Sequence, residues 1–286
     1  MPVCIKWGYE GSVKRFLTVL SLVAVFIYIA VVLLIYQNQR NIMYHPILEK
    51  IMPANNWGIS NVEIMHVLTE DGIRLEGWFI TPKIKNQKII VFFHGNAQNI
   101  GSSYSGVSKL LEDGYGLLMV EYRGYTGHKG KFTEQGVYKD CRAFIDWLHQ
   151  TQKVKYSDMV FYGESLGTAL SVQMASEYDG YALVLLSPFS SMVDLARIQY
   201  PYLPIYLLLK DKYLSKRKIG KIKIPILILH GDKDTIVSME LGETLFNAAN
   251  EPKKFVRINN GGHNNLYELG AVDYIRTFLE NKNGAQ

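Results

Sequence analysis

The pentapeptide Gly-Glu-Ser-Leu-Gly at residues 163–167 is the strongest chemical signal in the sequence. An apolar run at residues 159–162 precedes it, and the segment after it has the composition of a helix. A sharp turn from a strand into a helix exposes the serine hydroxyl, and the two glycines let neighbouring backbones pass closely. The pattern therefore predicts Ser165 as a nucleophile. It also directs the N–H of Leu166 at the reacting group from the positive end of a helix.

A serine nucleophile needs a base, and the base needs an acid that orients it. His263 follows a strand-like run, Lys-Lys-Phe-Val-Arg-Ile-Asn, and lies in the segment Gly-Gly-His-Asn. Asp232 and Asp234 follow the apolar run Ile-Pro-Ile-Leu-Ile-Leu-His-Gly. Serine, acid and histidine therefore occur in the order that this kind of turn uses. We predict His263 as the base, whereas position at a strand end does not separate Asp232 from Asp234.

Residues 91–99, VFFHGNAQN, end an apolar run with a loop that suits a second task. When a nucleophile attacks a carbonyl, the oxygen becomes negative and needs N–H donors already aimed at it. Leu166 supplies one such backbone donor. Asn96 is the predicted second donor, with Ala97 as the next choice.

Buried parallel strands are the elements that would position these residues. The runs KIIVFFHG, GLLMVEY, MVFYG, YALVLLS and IPILILHG are almost wholly apolar, which is typical of strands covered on both faces. Segments of helical length separate them, such as residues 133–152, and this alternation predicts an α/β fold with a mostly parallel sheet. Upstream, VEIMHVL and IRLEGWFI flank Asp71-Gly72, which predicts an antiparallel hairpin at the edge.

Six motifs in order resemble one family. FHGNAQN, EYRGYTGHKG, YGESLGTA, LLSPFSS, ILHGDKDTIV and GGHNN resemble the α/β-hydrolases, and especially the Bem46-like branch with one N-terminal membrane segment. The resemblance implies an α/β-hydrolase fold with a small cap and a triad of Ser165, Asp234 and His263, choosing Asp234 over Asp232. Family members usually carry glycine where Gln98 stands and glycine and serine around Thr126 and His128, so this chain departs from the pattern in both loops.

The resemblance implies hydrolysis of an acyl ester, thioester or amide through an acyl-enzyme. We expect a lipid, acylated or small ester substrate and no metal or organic cofactor. A peptidase or acyltransferase using the same three residues is an alternative, as is a non-catalytic membrane scaffold. Substrate-binding residues and oligomeric state are not predicted.

Residues 16–36 contain no charge, proline or glycine. As a helix they would be about 31 Å long, which matches the hydrocarbon core of a bilayer. A cleaved signal peptide would have a shorter apolar core, and a buried core helix is rarely apolar on every face. The resulting prediction is an N-terminal tail at 1–15, a transmembrane helix at 16–36, a tether at 37–60 and a hydrolase domain at 61–282 with a cap at about 190–219.

Basic residues near the span give a weak orientation. Lys6, Lys14 and Arg15 precede it, and Arg40 and Lys50 follow it. The positive-inside rule therefore favours a cytoplasmic N-terminus with the catalytic domain on the opposite side of the membrane. Residues 198–214, rich in tyrosine and leucine, are interpreted as a lid over the core, an apolar wall for an acyl chain or a face resting on the bilayer, and these are compatible with one another.

Bulk composition excludes other classes. Apolar residues make up 48% of the chain and charged residues 20%, as in an ordinary globular protein. The net charge is only +5 and no block of five basic residues occurs, so nucleic acid is not an expected partner. The two cysteines, Cys4 and Cys141, lie far apart, and without a Cys/His cluster they predict neither a disulfide nor a zinc site.

Overall fold

Eight strands form one sheet in the computed structural model, which describes residues 7–59 and 61–281. Residues 1–6 of the predicted tail, including Cys4, and residue 282 of the predicted domain lie outside the described residues. The strands are β1 Glu63–Leu68, β2 Arg74–Ile80, β3 Ile89–Phe93, β4 Gly116–Val120, β5 Met159–Glu164, β6 Ala182–Leu186, β7 Ile226–Gly231 and β8 Lys253–Ile258.

The strand order is β1-β2-β4-β3-β5-β6-β7-β8. Strands β3 to β8 are parallel, whereas β1 and β2 form an antiparallel hairpin that joins the sheet through β4. This confirms the predicted α/β-hydrolase fold and its hairpin edge. Because parallel strands end at one edge of the sheet, the loops after β3, β5, β7 and β8 can meet there.

Helices precede, connect and follow the strands. They are α1 Trp7–Met43, α2 Ile100–Val107, α3 Glu134–Gln150, α4 Leu166–Glu177, α5 Met192–Gln199, α6 Ile205–Leu208, α7 Ser215–Ile219, α8 Met239–Asn247 and α9 Ala271–Glu280. The predicted helix at 133–152 is α3, and it begins after Thr133, whose side chain accepts the N–H of Gly136 as an N-cap.

The core lies on both faces of the sheet, as β3 illustrates. All five residues of β3 are buried. Val91 and Phe93 pack into one apolar cluster, and Ile90 and Phe92 pack into the cluster on the other face. Side chains alternate between faces along a strand, so a strand covered on both sides must be apolar at every position.

Helix α1 is longer than the predicted span at 16–36. One stretch of the described residues, Gly11–Met43, is helical, long and apolar enough to cross a membrane, and its most apolar part has no buried residue. The structure differs from the expected tether at 37–60, because the helix continues through Met43 and Tyr44 is then buried in the hydrolase core. Hydrogen bonds to residues 208–213, such as the one from Arg40 to Asp211, hold this part of the chain in place.

Helices α5, α6 and α7 and their connecting turns lie between β6 and β7, where the sequence predicts the cap. The segment is short, and α6 is a single turn. Buried Val193, Ile205 and Leu209 form a small apolar cluster of their own, separate from the two main clusters. The cap is therefore a thin layer over the edge of the sheet at which the parallel strands end.

Candidate active site

Ser165 lies in the turn between β5 and α4 with φ 50° and ψ −114°, a backbone conformation that non-glycine residues rarely adopt. The turn needs glycine on both sides. A Cβ on Gly163 would collide with the carbonyl of Gly167, and a Cβ on Gly167 would collide with the carbonyl of Phe93. Ser165 is the N-cap residue of α4, yet its side chain makes no capping hydrogen bond. Its hydroxyl is therefore free to point into the site.

The structure brings together the three side chains predicted as a triad. The Ser165 hydroxyl lies 2.9 Å from His263 Nε2, and His263 Nδ1 lies 2.7 Å from Asp234 Oδ2. With the imidazole protonated at Nδ1, the serine hydroxyl donates to Nε2 and Nδ1–H donates to the carboxylate. This geometry can move a proton from the serine oxygen to the imidazole while the carboxylate holds the ring.

Asp234 is fixed by the turn that contains it. Its Oδ1 accepts the N–H groups of Ile236 and Val237, each at 2.9 Å, so Oδ2 is left for His263. His230 Nε2 lies 3.4 Å from Oδ2. Burial opposes ionisation of this carboxyl, but the hydrogen bonds with His230 and His263 outweigh it and hold the pKa of Asp234 well below its usual range. The group facing His263 is therefore a carboxylate at neutral pH.

Asp232 and the two histidines at strand ends, His94 and His230, make other contacts. Asp232 faces Arg257, with an oxygen-to-nitrogen distance of 3.1 Å, rather than His263. His94 is fully buried and its Nε2 lies 2.9 Å from Glu121 Oε1. His230, also fully buried, makes a 2.9 Å hydrogen bond with the Val237 carbonyl, so both act on the loops around the site.

The two predicted backbone donors come from two segments, Leu166 from the start of α4 and Asn96 from the loop after β3. The N–H groups of Leu166 and Asn96 have no protein acceptor among the described residues. Both residues line one cavity with Ser165 and His263. Ala97, the next choice, has φ 55° and lines the same cavity. Their role as an oxyanion hole remains a prediction.

The Asn96 side chain has a task that the sequence does not reveal. Its Oδ1 accepts the N–H of His45 at 2.9 Å and the hydroxyl of Tyr125 at 3.0 Å. Its Nδ2 donates to the carbonyl of Met43 at 2.8 Å. Asn96 therefore ties the loop after β3 to the chain that leaves α1.

Gln98, which departs from the family pattern, is also part of the site. Its Oε1 accepts the N–H of Gly95 at 2.7 Å, and its Nε2 lies 3.4 Å from Glu164 Oε1. Glu164 immediately precedes Ser165, and burial raises its pKa, although the bond from Gln98 and the nearby His263 offset part of that effect. The glutamine side chain thus braces the donor loop against the Ser165 turn.

A cavity of about 590 Å³ opens beside Ser165, within the size range of small-molecule sites. Apolar side chains form much of its wall, from the loops after the strands, from α5 and from the end of α1. Ile42 and Met43 come from α1, and Met192 and Leu195 come from α5. Sequence patterns gave no reason to place residues 42–45 here, because these contacts join parts of the chain more than 50 residues apart.

Comparisons with known proteins agree with this fold. A family profile described as alpha/beta hydrolase fold matches residues 88–219, which include Ser165. The uncharacterized Mycobacterium tuberculosis protein Rv2307c is 34% identical over 93% of this chain and 95% of its own. Human alpha/beta hydrolase domain-containing protein 17B is 28% identical over 76% of this chain and 75% of its own. The Pyrococcus furiosus esterase Pf2001 superposes with a TM-score of 0.67 at 19% identity, covering 83% of this chain and 97% of that one.

Proposed function

Because the chain belongs to the α/β-hydrolase family, in its Bem46-like branch, we propose that it is a serine hydrolase that cleaves acyl esters or thioesters. One observation carries the proposal. Hydrogen bonds run without a break from Ser165 through His263 to Asp234, and the serine lines a cavity of about 590 Å³. A nucleophile, a base and an orienting acid in contact are what acyl transfer requires.

In this mechanism the Ser165 oxygen attacks the acyl carbon while His263 Nε2 takes the hydroxyl proton. Asp234 holds the imidazole and stabilises its protonated form. The N–H groups of Leu166 and Asn96 donate to the oxygen that becomes negative. His263 then gives its proton to the leaving alcohol or thiol, which leaves an ester on Ser165. Water attacks that ester with His263 again acting as the base, releasing the acid and restoring the serine hydroxyl.

The cavity lining supports an acyl group as the part of the substrate that is bound. Phe189, Leu195 and Val237 line the same cavity as Ser165, and the lining contains few charged groups. Burying an apolar chain gives about 0.8 kcal/mol for each methylene removed from water. We therefore expect kcat/KM for p-nitrophenyl esters to rise with chain length until the cavity is filled.

Substitution of the three side chains tests the proposal. In detergent-solubilised protein, Ser165→Ala, His263→Ala and Asp234→Asn should each lower kcat for a p-nitrophenyl ester, the first two by at least about 10³-fold. Asp232→Asn is the matched control, because that carboxylate faces Arg257, and it should keep kcat near the wild-type value. Full turnover by folded Ser165→Ala protein would refute the proposed nucleophile.

We also propose that α1 anchors the protein in a membrane. The helix has exposed apolar side chains along its length, such as Phe16, Val23 and Leu34, and exposure of such a large apolar surface to water is unfavourable. A bilayer would cover it. We propose that the N-terminus lies on the cytoplasmic side, as the flanking charges favour, with the catalytic domain on the opposite side.

A further inference from the structure

The cap follows α1 for part of its length. Near the end of the helix, Arg40 forms an ion pair with buried Asp211 at 2.7 Å, and the ammonium of Lys210 lies 4.2 Å from the centre of the Tyr36 ring. Farther along the helix, the Tyr28 hydroxyl donates to the carbonyl of Tyr202 at 3.0 Å. The contacts with the cap therefore extend from the polar end of α1 into its apolar stretch.

The Tyr28–Tyr202 contact shows how far the cap extends along the apolar stretch of α1. The uncharged stretch of α1 ends at Tyr36, and Tyr28 lies eight residues inside it. At 1.5 Å per residue that is about 12 Å along the helix. The hydrocarbon core of a bilayer is about 30 Å thick. A membrane that takes up α1 must therefore also take up the part of the cap around Tyr202.

The composition of this part of the cap fits that environment. Residues 198–209, here named the cap tip, contain no charged residue. Ile205 and Leu209 of the tip are buried, but other large side chains are exposed, with Tyr202 at 89% and Leu207 at 80%. Exposed Arg197 and Lys210 flank the tip, where long basic side chains can reach the lipid headgroups.

The backbone of the cap tip is also suited to lipid, where unpaired polar groups are costly. Pro201 and Pro204 have no N–H to satisfy. The N–H of Leu203 donates to Tyr200 and that of Ile205 donates to Leu203. The carbonyl of Tyr202 accepts the hydroxyl of Tyr28. The Tyr28 hydroxyl of α1 thus satisfies a backbone carbonyl in the turn at the end of the tip.

We infer that the cap tip, residues 198–209, inserts into the same bilayer as α1 and that this lipid surface is its partner. The inference rests on the proposed membrane anchoring. It also defines where the catalytic cavity lies, because Gln199 and Tyr200 of the tip and Met43 of α1 line it. Insertion places that cavity at the membrane surface, where the acyl chain of a lipid-embedded substrate can reach Ser165.

Quenching by spin-labelled lipid tests this inference in the full chain. Cys4→Ser and Cys141→Ala leave a background for single cysteines labelled with an environment-sensitive fluorophore. Labels at Tyr202→Cys and Leu207→Cys report on the cap tip, and Val23→Cys reports on α1. Ile84→Cys is the matched control, because Ile84 is apolar and 56% exposed but lies in the loop before β3, at the opposite end of the parallel strands from Ser165.

In phosphatidylcholine vesicles containing lipids with a nitroxide on the acyl chain, we expect labels at 202, 207 and 23 to lose at least half of their fluorescence. The label at 84 should keep its fluorescence. Quenching at 23 without quenching at 202 and 207 would overturn insertion of the tip and leave the anchor intact. Absence of quenching at all three positions would overturn the anchor itself. Hydrolysis of a soluble ester by each labelled protein shows that the domain is folded and tests the hydrolase proposal separately.

Discussion

At the scale of single residues, the site depends on Ser165 in a conformation that the chain would otherwise avoid. A non-glycine residue at φ 50° and ψ −114° costs about 1–3 kcal/mol, which the surrounding packing must offset. A serine at the start of a helix ordinarily caps it through its hydroxyl. In this turn the hydroxyl lies 2.9 Å from His263 instead. The strained turn thus leaves the hydroxyl of the proposed nucleophile available.

Gln98 gives a prediction on positioning. Gln98→Ala removes the acceptor for the N–H of Gly95 and the contact with Glu164, so the loop carrying Asn96 loses its brace. We expect kcat for a soluble ester to fall about tenfold with little change in KM, less than the 10²–10³-fold typical of losing an oxyanion donor outright.

Ser103→Ala is the control for Gln98, because Ser103 makes only a 3.4 Å contact with the same Oε1 atom. Steady-state kinetics of both variants in detergent should show the loss for Gln98→Ala alone. An unchanged kcat in Gln98→Ala would mean that the donor loop holds its conformation without this side chain.

Glu164 gives a prediction on stability and pH. Burial raises the pKa of its carboxyl in the folded protein, so the folded state binds a proton more readily than the unfolded chain. Stability from this group is therefore full below about pH 4.3 and declines as pH rises towards the folded pKa. Above the folded pKa, the loss of stability is about 1.4 kcal/mol for each pKa unit between the folded and unfolded states.

Glu164→Gln should accordingly melt a few degrees higher than wild type at pH 7, at about 2–4 °C per kcal/mol for a chain of this size. The difference should vanish near pH 4. Thermal unfolding from pH 4 to 8 measures it, with the exposed Glu243→Gln variant as a control that should follow wild type. A lower melting temperature for Glu164→Gln at pH 7 would show that the ionised carboxylate stabilises the fold.

Residue types and their order were enough to predict the triad in part. GESLG and GGHN have local signatures, and the structure brings Ser165 and His263 within hydrogen-bond distance. Strand position left Asp232 and Asp234 equal, and only family resemblance separated them. The physical difference is the turn, where the N–H groups of Ile236 and Val237 hold Asp234 with its second oxygen towards His263. A turn conformation of that kind leaves no pattern in the sequence.

At the scale of elements, the β5–α4 turn works because α4 packs closely against β3. Gly167→Ala would place a methyl group against the carbonyl of Phe93. Backbone cannot move aside as a flexible side chain can, so we expect a loss of at least about 3 kcal/mol in unfolding free energy or failure to fold. Chemical denaturation, or the yield of soluble protein, measures the effect.

Gly262→Ala is the matched control for Gly167→Ala. Its added Cβ would have a nearest heavy atom at 3.5 Å, an ordinary contact with Asn265. We expect its stability to stay close to wild type. Wild-type stability in Gly167→Ala would contradict the close approach of β3 and α4.

Strands and hairpin were predictable because their signals are local. Continuous apolar runs gave the parallel strands, and Asp71-Gly72 between alternating segments gave the β1–β2 turn. The path of residues 37–45 was not predictable. Gln39 bonds the carbonyl of Leu208 and the N–H of Lys210, and such contacts between distant parts of the chain have no periodic signature.

At the scale of the whole molecule, helix, cap and cavity form one arrangement. Asn96 binds the chain leaving α1, Asp211 binds Arg40, and the cavity is walled by both α1 and α5. Helix α1 therefore contributes part of the cavity wall. Under the proposed membrane anchoring, it would also set the distance of the cavity from the lipid.

The combined variant Tyr202→Glu, Leu207→Glu tests that arrangement through activity. Each charge costs about 2–3 kcal/mol to place in the bilayer core, so the cap tip should withdraw. We expect hydrolysis of an acyl ester embedded in vesicles to fall about tenfold or more. Hydrolysis of a short soluble ester should stay unchanged, because neither residue lines the cavity.

Ile84→Glu, in the loop before β3, is the control for this pair and should change the hydrolysis of neither substrate. Equal rates of the wild type and the double variant on vesicle-borne ester would separate catalysis from insertion of the tip.

The most direct measurement of the central claim is covalent labelling by a fluorophosphonate, followed by peptide mass spectrometry. We expect the wild-type protein to carry the label on Ser165, Ser165→Ala to carry none, and folded His263→Ala to react far more slowly because the serine has lost its base. Folded wild-type protein that stays unlabelled, or that is labelled on another residue instead of Ser165, would contradict the account.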